Sequence, residues 1–412
     1  MQYGKKVLPM KVMIFVCGEG LGHTSRCISL AREMEATGDE VHFGAYGYSA
    51  ELIKRKGYAV HNVPSEVTLV GKAGKLNLKR SILATFKRGQ FLSIIRISRL
   101  LKRIHPDVVI SDSYYIGVMG SKARSIPTYL IINQSSMEQF FMQKGISSRI
   151  VGEFVKKFYS GIFRMIDGII IPDFPMPHTI CRKNLDFKKE ILEKVFYSGP
   201  LIGKKFEEVK ELELKKPHIL STLGGFGYRE PIFRKVIQAA EMNEEINYTL
   251  LSGPNVNPNI FESLPSNVKV LEFIEDQFPY LRSSDIVIAP GGHSTMMEAF
   301  SFGVPMISFP DMNHTEQQNN SSALDEDRLG RKLGYSTPPE EILADIKEVL
   351  ENKKYKDKAM RMKKLAEELD GPAAICRMLE SELRNKPRDK SRKSKLIAFS
   401  NLKKKIAFKK RH

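Results

Sequence analysis

Short β-branched runs alternate with longer amphipathic stretches along the first half of the chain, the pattern of a parallel sheet wound by helices. Strands are predicted at Val12 to Cys17, Glu40 to Ala45, Ala59 to Val63, Asp107 to Ser111, Thr128 to Ile132 and Gly168 to Ile171. The pattern resets after Tyr197-Ser198-Gly199-Pro200 and the polar stretch Lys204 to Pro217. A second series follows at His218 to Thr222, Tyr248 to Ser252, Val268 to Glu272, Ile286 to Ala289 and Pro305 to Phe309. Two segments of helical character, Glu340 to Asn352 and Lys354 to Asn385, come last, and the second is long enough to pass back over the first half. The expected organisation is α/β, with two doubly wound Rossmann-like domains, 1–199 and 200–384, whose C-terminal strand ends face a shared cleft.

Composition narrows this picture. A chain of 412 residues has material for two domains, and no apolar run approaches the ~18 to 20 residues that a membrane-crossing helix needs. Lys5 and Lys6 precede an apolar run, Val12 to Cys17, that is too short for a signal peptide, so a cytoplasmic location is expected. The four cysteines, Cys17, Cys27, Cys181 and Cys376, form no Cys-x-x-Cys pair and have no clustered histidines, which argues against a metal site or a disulfide framework.

The net charge of +18 is concentrated. From Asn385 to His412 twelve Lys or Arg stand against one acid, Asp389, so +11 lies in a 28-residue tail (385–412) expected to be disordered and drawn to an anionic surface. Phospholipid and nucleic acid both qualify. A second basic stretch, Lys72 to Arg103, interleaves Arg80, Lys87, Arg96 and Arg99 with Leu83, Phe86, Phe91, Ile94 and Leu101. Such a segment either lies in a membrane interface or covers a core while its basic heads stay wet.

The first strand runs into Gly18-Glu19-Gly20-Leu21-Gly22-His23-Thr24-Ser25-Arg26. Glycines at a strand-to-helix turn, Gly20 and Gly22 here, admit a ligand close to the backbone and to the helix N-terminal amides. The spacing is not Gly-x-Gly-x-x-Gly, and the second strand ends in Gly44-Ala45-Tyr46 with no acid for a ribose, so a nicotinamide-dependent oxidoreductase fits poorly. His23 falls on the first helical turn at the mouth of the cleft, where a neutral imidazole can accept a proton from a hydroxyl. Asp112, ending the fourth strand on the same sheet edge, is placed to orient it. Local hydrogen bonding for the histidine and loop capping for the aspartate are the competing roles.

In the second half a buried strand stops at Pro290, and a helix begins after Gly291-Gly292-His293-Ser294-Thr295. Amides at that positive helix end form a diphosphate cradle, and Glu298, one turn on, is spaced to accept both hydroxyls of an attached ribose. The next strand ends at Phe309-Pro310, and its loop carries His314, Glu316, Gln317 and Asn320, a set suited to sugar hydroxyls. Any one of these serves equally as a cap or a wet loop residue; together, at consecutive strand ends, they do not look like packing.

The pattern Gly292-x-x-Thr295-x-x-Glu298-Ala299, Gly303-Val-Pro305, then Glu316-Gln317-x-x-Asn320, resembles the donor signature of MurG-like GlcNAc transferases and UDP-glycosyltransferases, which have the GT-B fold. The resemblance implies that Ile274 and Phe273 meet the base and that His293, Ser294 and Thr295 face the phosphates. It places Glu298 on the ribose, Glu316 and Gln317 on the donor sugar, and Gly224 and Gly225 along the diphosphate. It makes His23 the catalytic base and Asp112 its acidic partner. The sequence departs from it in having Glu at 316, where many relatives have Asp or Gln, and in lacking tryptophan altogether.

The function so implied is inverting transfer of a sugar from a nucleotide diphosphate-sugar, a UDP-sugar by the resemblance, to a hydroxyl acceptor. The scheme needs neither metal nor cofactor, and Asp325-Glu326-Asp327, which has the Asp-x-Asp look of a metal motif, falls in a polar helical stretch expected to be solvated. The two basic segments point to a lipid or lipid-linked acceptor and to a peripheral position at the inner membrane face. A UDP-GlcNAc 2-epimerase of the same fold is the alternative, and a tail-driven nucleic-acid-binding protein is a weaker one.

Overall fold

The computed structural model describes residues 9–18, 21–66, 71–72, 75–76, 90–136, 146–222, 229–253, 263–272, 274 and 276–384. Gly20, Gly224, Gly225, Phe273 and the tail 385–412, all singled out above, lie outside the described residues, as does most of 73–89.

The first lobe opens with β1 (Lys11–Val16), α1 (Leu21–Ala36), β2 (Glu40–Ala45), α2 (Gly47–Arg55) and β3 (Ala59–Asn62). A short antiparallel pair, β4 (Gly71–Lys72) and β5 (Lys75–Leu76), leads to α3 (Gln90–Ile104), β6 (Val108–Asp112), α4 (Tyr115–Lys122) and β7 (Thr128–Ile131). It finishes with α5 (Ile146–Met165), β8 (Gly168–Ile171), α6 (Lys189–Leu192) and β9 (Val195–Tyr197). Its seven parallel strands lie in the order β3-β2-β1-β6-β7-β8-β9. The central strands are buried on both faces, which is why they read as continuous apolar runs rather than alternating ones.

The second lobe comprises β10 (His218–Thr222), α7 (Glu230–Glu241), β11 (Asn247–Leu251), β12 (Val268–Leu271), α8 (Phe278–Arg282), β13 (Ile286–Ala289), α9 (His293–Ser301), β14 (Met306–Ser308), α10 (Thr315–Asp327) and β15 (Gly330–Lys332). These strands form a second parallel sheet, β12-β11-β10-β13-β14-β15. In each sheet the strand order reverses beside the first strand of the lobe, so a crevice opens at the carboxyl ends of β1 and β6 and of β10 and β13. Short edge strands β9 and β15 were not expected from the sequence.

Among the described residues α11 (Pro339–Glu351), α12 (Lys353–Leu369) and α13 (Gly371–Leu379) follow, with a last helical turn at Glu380–Arg384. The stretch after Lys354 is not one helix: Asp370 takes a left-handed conformation, φ 46°, and Pro372 starts a new helix. That break turns α13 onto the first lobe, where Ile375, Cys376 and Leu379 join the core of Val12, Ile14 and Leu30. Gly371 sits where a Cβ would fall 2.3 Å from the carbonyl oxygen of Pro200, so the two crossings between the lobes touch. A cavity of about 340 Å³ lies at this crossing, lined by Arg32, Lys205, Phe206 and Asp370, and it shares no residue with the cleft described next.

Candidate active site

The N-termini of α1 and α9 meet across the cleft. A Cβ on Gly22 would lie 2.5 Å from Ser294 Oγ and 2.8 Å from its Cβ, so only glycine lets the two helix starts approach this closely. Gly291, φ 84°, is similarly fixed, since a Cβ there would strike Ser321 Oγ and Ser308 Oγ. Gly292 is the N-cap of α9; a side chain on it would meet nothing within 4 Å. Gly292, Ser294 and Thr295 are partly accessible, and the first amides of α9 have no intrahelical acceptor. The helix start that the sequence marks as a candidate diphosphate cradle is therefore formed.

His293 departs from expectation. Its ring is buried, with Nε2 3.1 Å from Asp173 Oδ2 of the first lobe, so the side chain is directed to an acid of the other lobe rather than to the position the resemblance implies. The same carboxylate accepts from the amides of Phe174 at 2.7 Å and Cys181 at 2.9 Å. Asp173, Cys181 and His293 place ligand-type atoms within 4.8 Å of one another. Hydrogen bonds already occupy that carboxylate, and burial beside Asp173 holds the Cys181 thiol protonated, which accounts for the cluster as an interlobe tie.

On the first lobe His23 Nδ1 lies 2.8 Å from Asp112 Oδ1, and the His23 side chain as a whole is 29% exposed. The expected pair is therefore assembled, but it is not alone. Arg26, one turn on from His23, donates from Nε to Asp112 Oδ2 and from Nη2 to Oδ1, both at 2.5 Å, and Nη2 also lies 2.9 Å from His23 Nδ1. Burial alone would raise the Asp112 carboxyl, but the Arg26 guanidinium, with His23 adding to it, more than offsets this and holds the acid well below the usual carboxylate range.

Glu316, Gln317 and Asn320, expected on a loop, lie instead on α10, and Glu316 connects this helix to the group around His23. Glu316 Oε1 accepts from Asn133 Nδ2 at 2.6 Å, and Asn133, at the end of β7, accepts in turn from Arg26 Nη1 at 3.5 Å. Asn320 is fully buried and accepts from Asn184 Nδ2 of the first lobe, and Gln317 accepts from the amide of Asp311, so both fix the first turns of α10. His314 is the N-cap of α10. Glu298 is buried and accepts from Gln277 Nε2 at 2.8 Å, which places it against the loop after β12 that also carries Ile274. Burial raises the Glu298 carboxyl to about 7, with the Gln277 hydrogen bond acting against it. In the Asp-x-Asp look-alike Asp325 and Glu326 are exposed, as expected, while Glu326 and Asp327 also pair with Arg182, and Glu326 with Lys183, of the first lobe.

Arg26, Asn133, Asp173 and Asn184 were not assigned roles from sequence. For Arg26 a signal existed, three residues beyond His23 and hence on the same helical face. Asn133 and Asp173 announce themselves only as polar residues just past strand ends, and Asn184 only as a polar residue in the connection from β8 to β9.

Residues 230–372 match the glycosyltransferase family 28 C-terminal domain. The chain is 57% identical to an uncharacterized glycosyltransferase of Methanosarcina mazei, with 90% of this chain and 98% of that protein covered. It is 24% identical, over 90% of its length and 98% of the relative's, to a UDP-N-acetylglucosamine--N-acetylmuramyl-(pentapeptide) pyrophosphoryl-undecaprenol N-acetylglucosamine transferase of Bacillus cereus. The structure of the calicheamicin glycosyltransferase CalG4 superposes with a TM-score of 0.71 at 17% identity, covering 92% of this chain and 99% of that one.

Proposed function

Because this chain belongs to the glycosyltransferases, with a family 28 C-terminal domain on a GT-B fold, we propose that it transfers a sugar with inversion from a uridine diphosphate-sugar to a hydroxyl of a lipid-linked acceptor. One observation carries the mechanism: the His23–Asp112 pair and the N-terminus of α9 stand on opposite walls of one narrow cleft, in contact through Gly22 and Ser294.

In a single displacement the acceptor oxygen attacks the anomeric carbon from the face away from the diphosphate. The new carbon–oxygen bond forms as the bond to the phosphate oxygen breaks. The acceptor proton passes to His23 Nε2, and the ionised Asp112 stabilises the imidazolium that results. Charge builds up on the leaving diphosphate, where the α9 amides at Ser294 and Thr295 meet it without rearrangement. Glu298 holds the ribose and Glu316 the sugar.

The uridine diphosphate donor and the lipid acceptor are supported by the Bacillus cereus relative, whose name states both. A thermal-shift panel of uridine, thymidine and guanosine diphosphates tests the donor side. Uridine diphosphate at ~100 times its dissociation constant should add roughly 2.7 kcal/mol of stability, and a flat response to all three would remove the reading.

A membrane-facing surface is supported by α5, where Ile150 (69% exposed), Phe154 (65%) and Phe158 form a stripe one turn apart, alongside the exposed Arg149, Lys156 and Lys157. The basic stretch noted earlier contributes differently. In α3 its apolar face is used in the core, through Ile97, Leu101 and Ile104 with Val109, Tyr114 and Ile116, while Arg96, Arg99, Lys102 and Arg103 stay exposed. Both helices pack against α4, so these charges and the stripe share one side of the lobe. No helix among the described residues is long and apolar enough to cross a membrane. Vesicles of anionic lipid should co-sediment the protein at low salt and release it at high salt; recovery of all protein in the supernatant at low salt would reject the surface.

A further inference from the structure

We propose that Arg26 and Asn133 are positioning residues that let the sugar-binding Glu316 set which tautomer the His23 ring adopts; the inference rests on the transferase reading above. His23 Nδ1 has two neighbours of opposite character, Asp112 Oδ1 at 2.8 Å and Arg26 Nη2 at 2.9 Å. Donating to Asp112, Nδ1 carries the proton and Nε2 keeps the lone pair that accepts from an acceptor hydroxyl. Accepting from Arg26, Nδ1 is bare, Nε2 carries the proton, and the ring cannot act as a base.

Which arrangement prevails depends on where Arg26 directs Nη2. Its side chain is 3% exposed, and its five donors have three partners, Asp112, His23 and Asn133. Asn133 is the adjustable one. Its Oδ1 accepts from Arg26 at 3.5 Å, a long contact, while its Nδ2 donates to Glu316 Oε1 at 2.6 Å, a short charge-assisted one across the cleft. A sugar hydroxyl that donates to Glu316 competes with Asn133 for the same oxygen. Asn133 then turns back toward Arg26, shortens that contact and draws the guanidinium off Nδ1. His23 is thereby left to donate to Asp112, with Nε2 poised as the base once the sugar is in place.

The test needs no knowledge of the donor. Full-length protein labelled with ¹⁵N-histidine is recorded by ring proton–nitrogen correlation at about pH 8, above the ordinary imidazole range, with His23 identified by loss of its signals in His23→Gln. Glu316→Gln, which weakens the hold on Asn133, should move the His23 ring nitrogens toward the Nδ1–H tautomer. In the Asn133→Ala background the same substitution should leave them unmoved. Arg26→Lys keeps the charge but not the fork, and should also abolish the response to Glu316→Gln. A shift of equal size with and without Asn133 would mean that the charge of Glu316 acts through space, and no shift at all would mean no link; either overturns the proposal. His42 and His61, which touch each other across β2 and β3, report whether each variant is folded. Transfer activity of His23→Ala is a separate measurement, so failure of the link and failure of the base assignment are told apart.

Discussion

Burial gives Glu298 a pH signature through which its proposed role at the ribose can be tested. Burial raises it from its ordinary 4.5 to about 7 in the native state. Between those values the unfolded chain has released a proton that the native state still holds, so stability falls as pH rises from about 4.5 to 7 and levels off above. Glu66, buried and raised to about 8, contributes with the same sign, so the comparison with Glu298→Gln isolates the one group. Ribose hydroxyls donate to the ionised form. Binding of uridine diphosphate at about pH 6 should therefore release a proton, seen as a binding heat that depends on the buffer's ionisation enthalpy, and Glu298→Gln should lose that dependence. A heat independent of buffer in the wild type would separate Glu298 from the ribose.

Helix starts, rather than individual side chains, set the width of the cleft. Gly22→Ala should force α1 and α9 apart through the Ser294 side chain, lowering affinity for uridine diphosphate while costing about 1–3 kcal/mol of stability, in the range of overpacked sites. Adding Ser294→Gly removes the obstructing atoms and should restore binding in part; an unchanged affinity in Gly22→Ala would show that the contact does not govern the cradle. These elements were legible in the sequence because their determinants are local. Val108 to Ser111 and Ile286 to Ala289 are buried on both faces and show as apolar runs, and Gly-Gly-His-Ser-Thr marks a helix start by its own spacing. The side-chain pairings were not legible, since Asp112 with Arg26 spans 86 residues, Asp173 with His293 120, and Asn133 with Glu316 183. His293 illustrates the limit: its place on the helix start was evident, but the direction of its ring is decided by an acid from the other lobe.

At the scale of the whole molecule the lobes are joined at a hinge and tied at the cleft. The linker at Pro200 and the α12–α13 break at Asp370 lie together, and α13 anchors the second lobe in the core of the first. Opposite that crossing, Arg182 with Glu326 and Asp327, Asn184 with Asn320, and His293 with Asp173 close the structure over the candidate site. The partly exposed ion pairs in this set are worth ~1 kcal/mol or less each, so the buried contacts, His293 with Asp173 and Asn184 with Asn320, carry more of the interlobe tie. The resulting molecule brings His23, the N-terminus of α9 and Glu316 on α10 within a few side chains of one another, the arrangement that the proposed transfer needs. The most direct trial of that arrangement is sugar transfer by His23→Ala, with uridine diphosphate affinity measured in parallel. The expected result is a rate lower by ~100-fold to 10,000-fold with nucleotide affinity nearly intact; transfer at the wild-type rate would contradict the account.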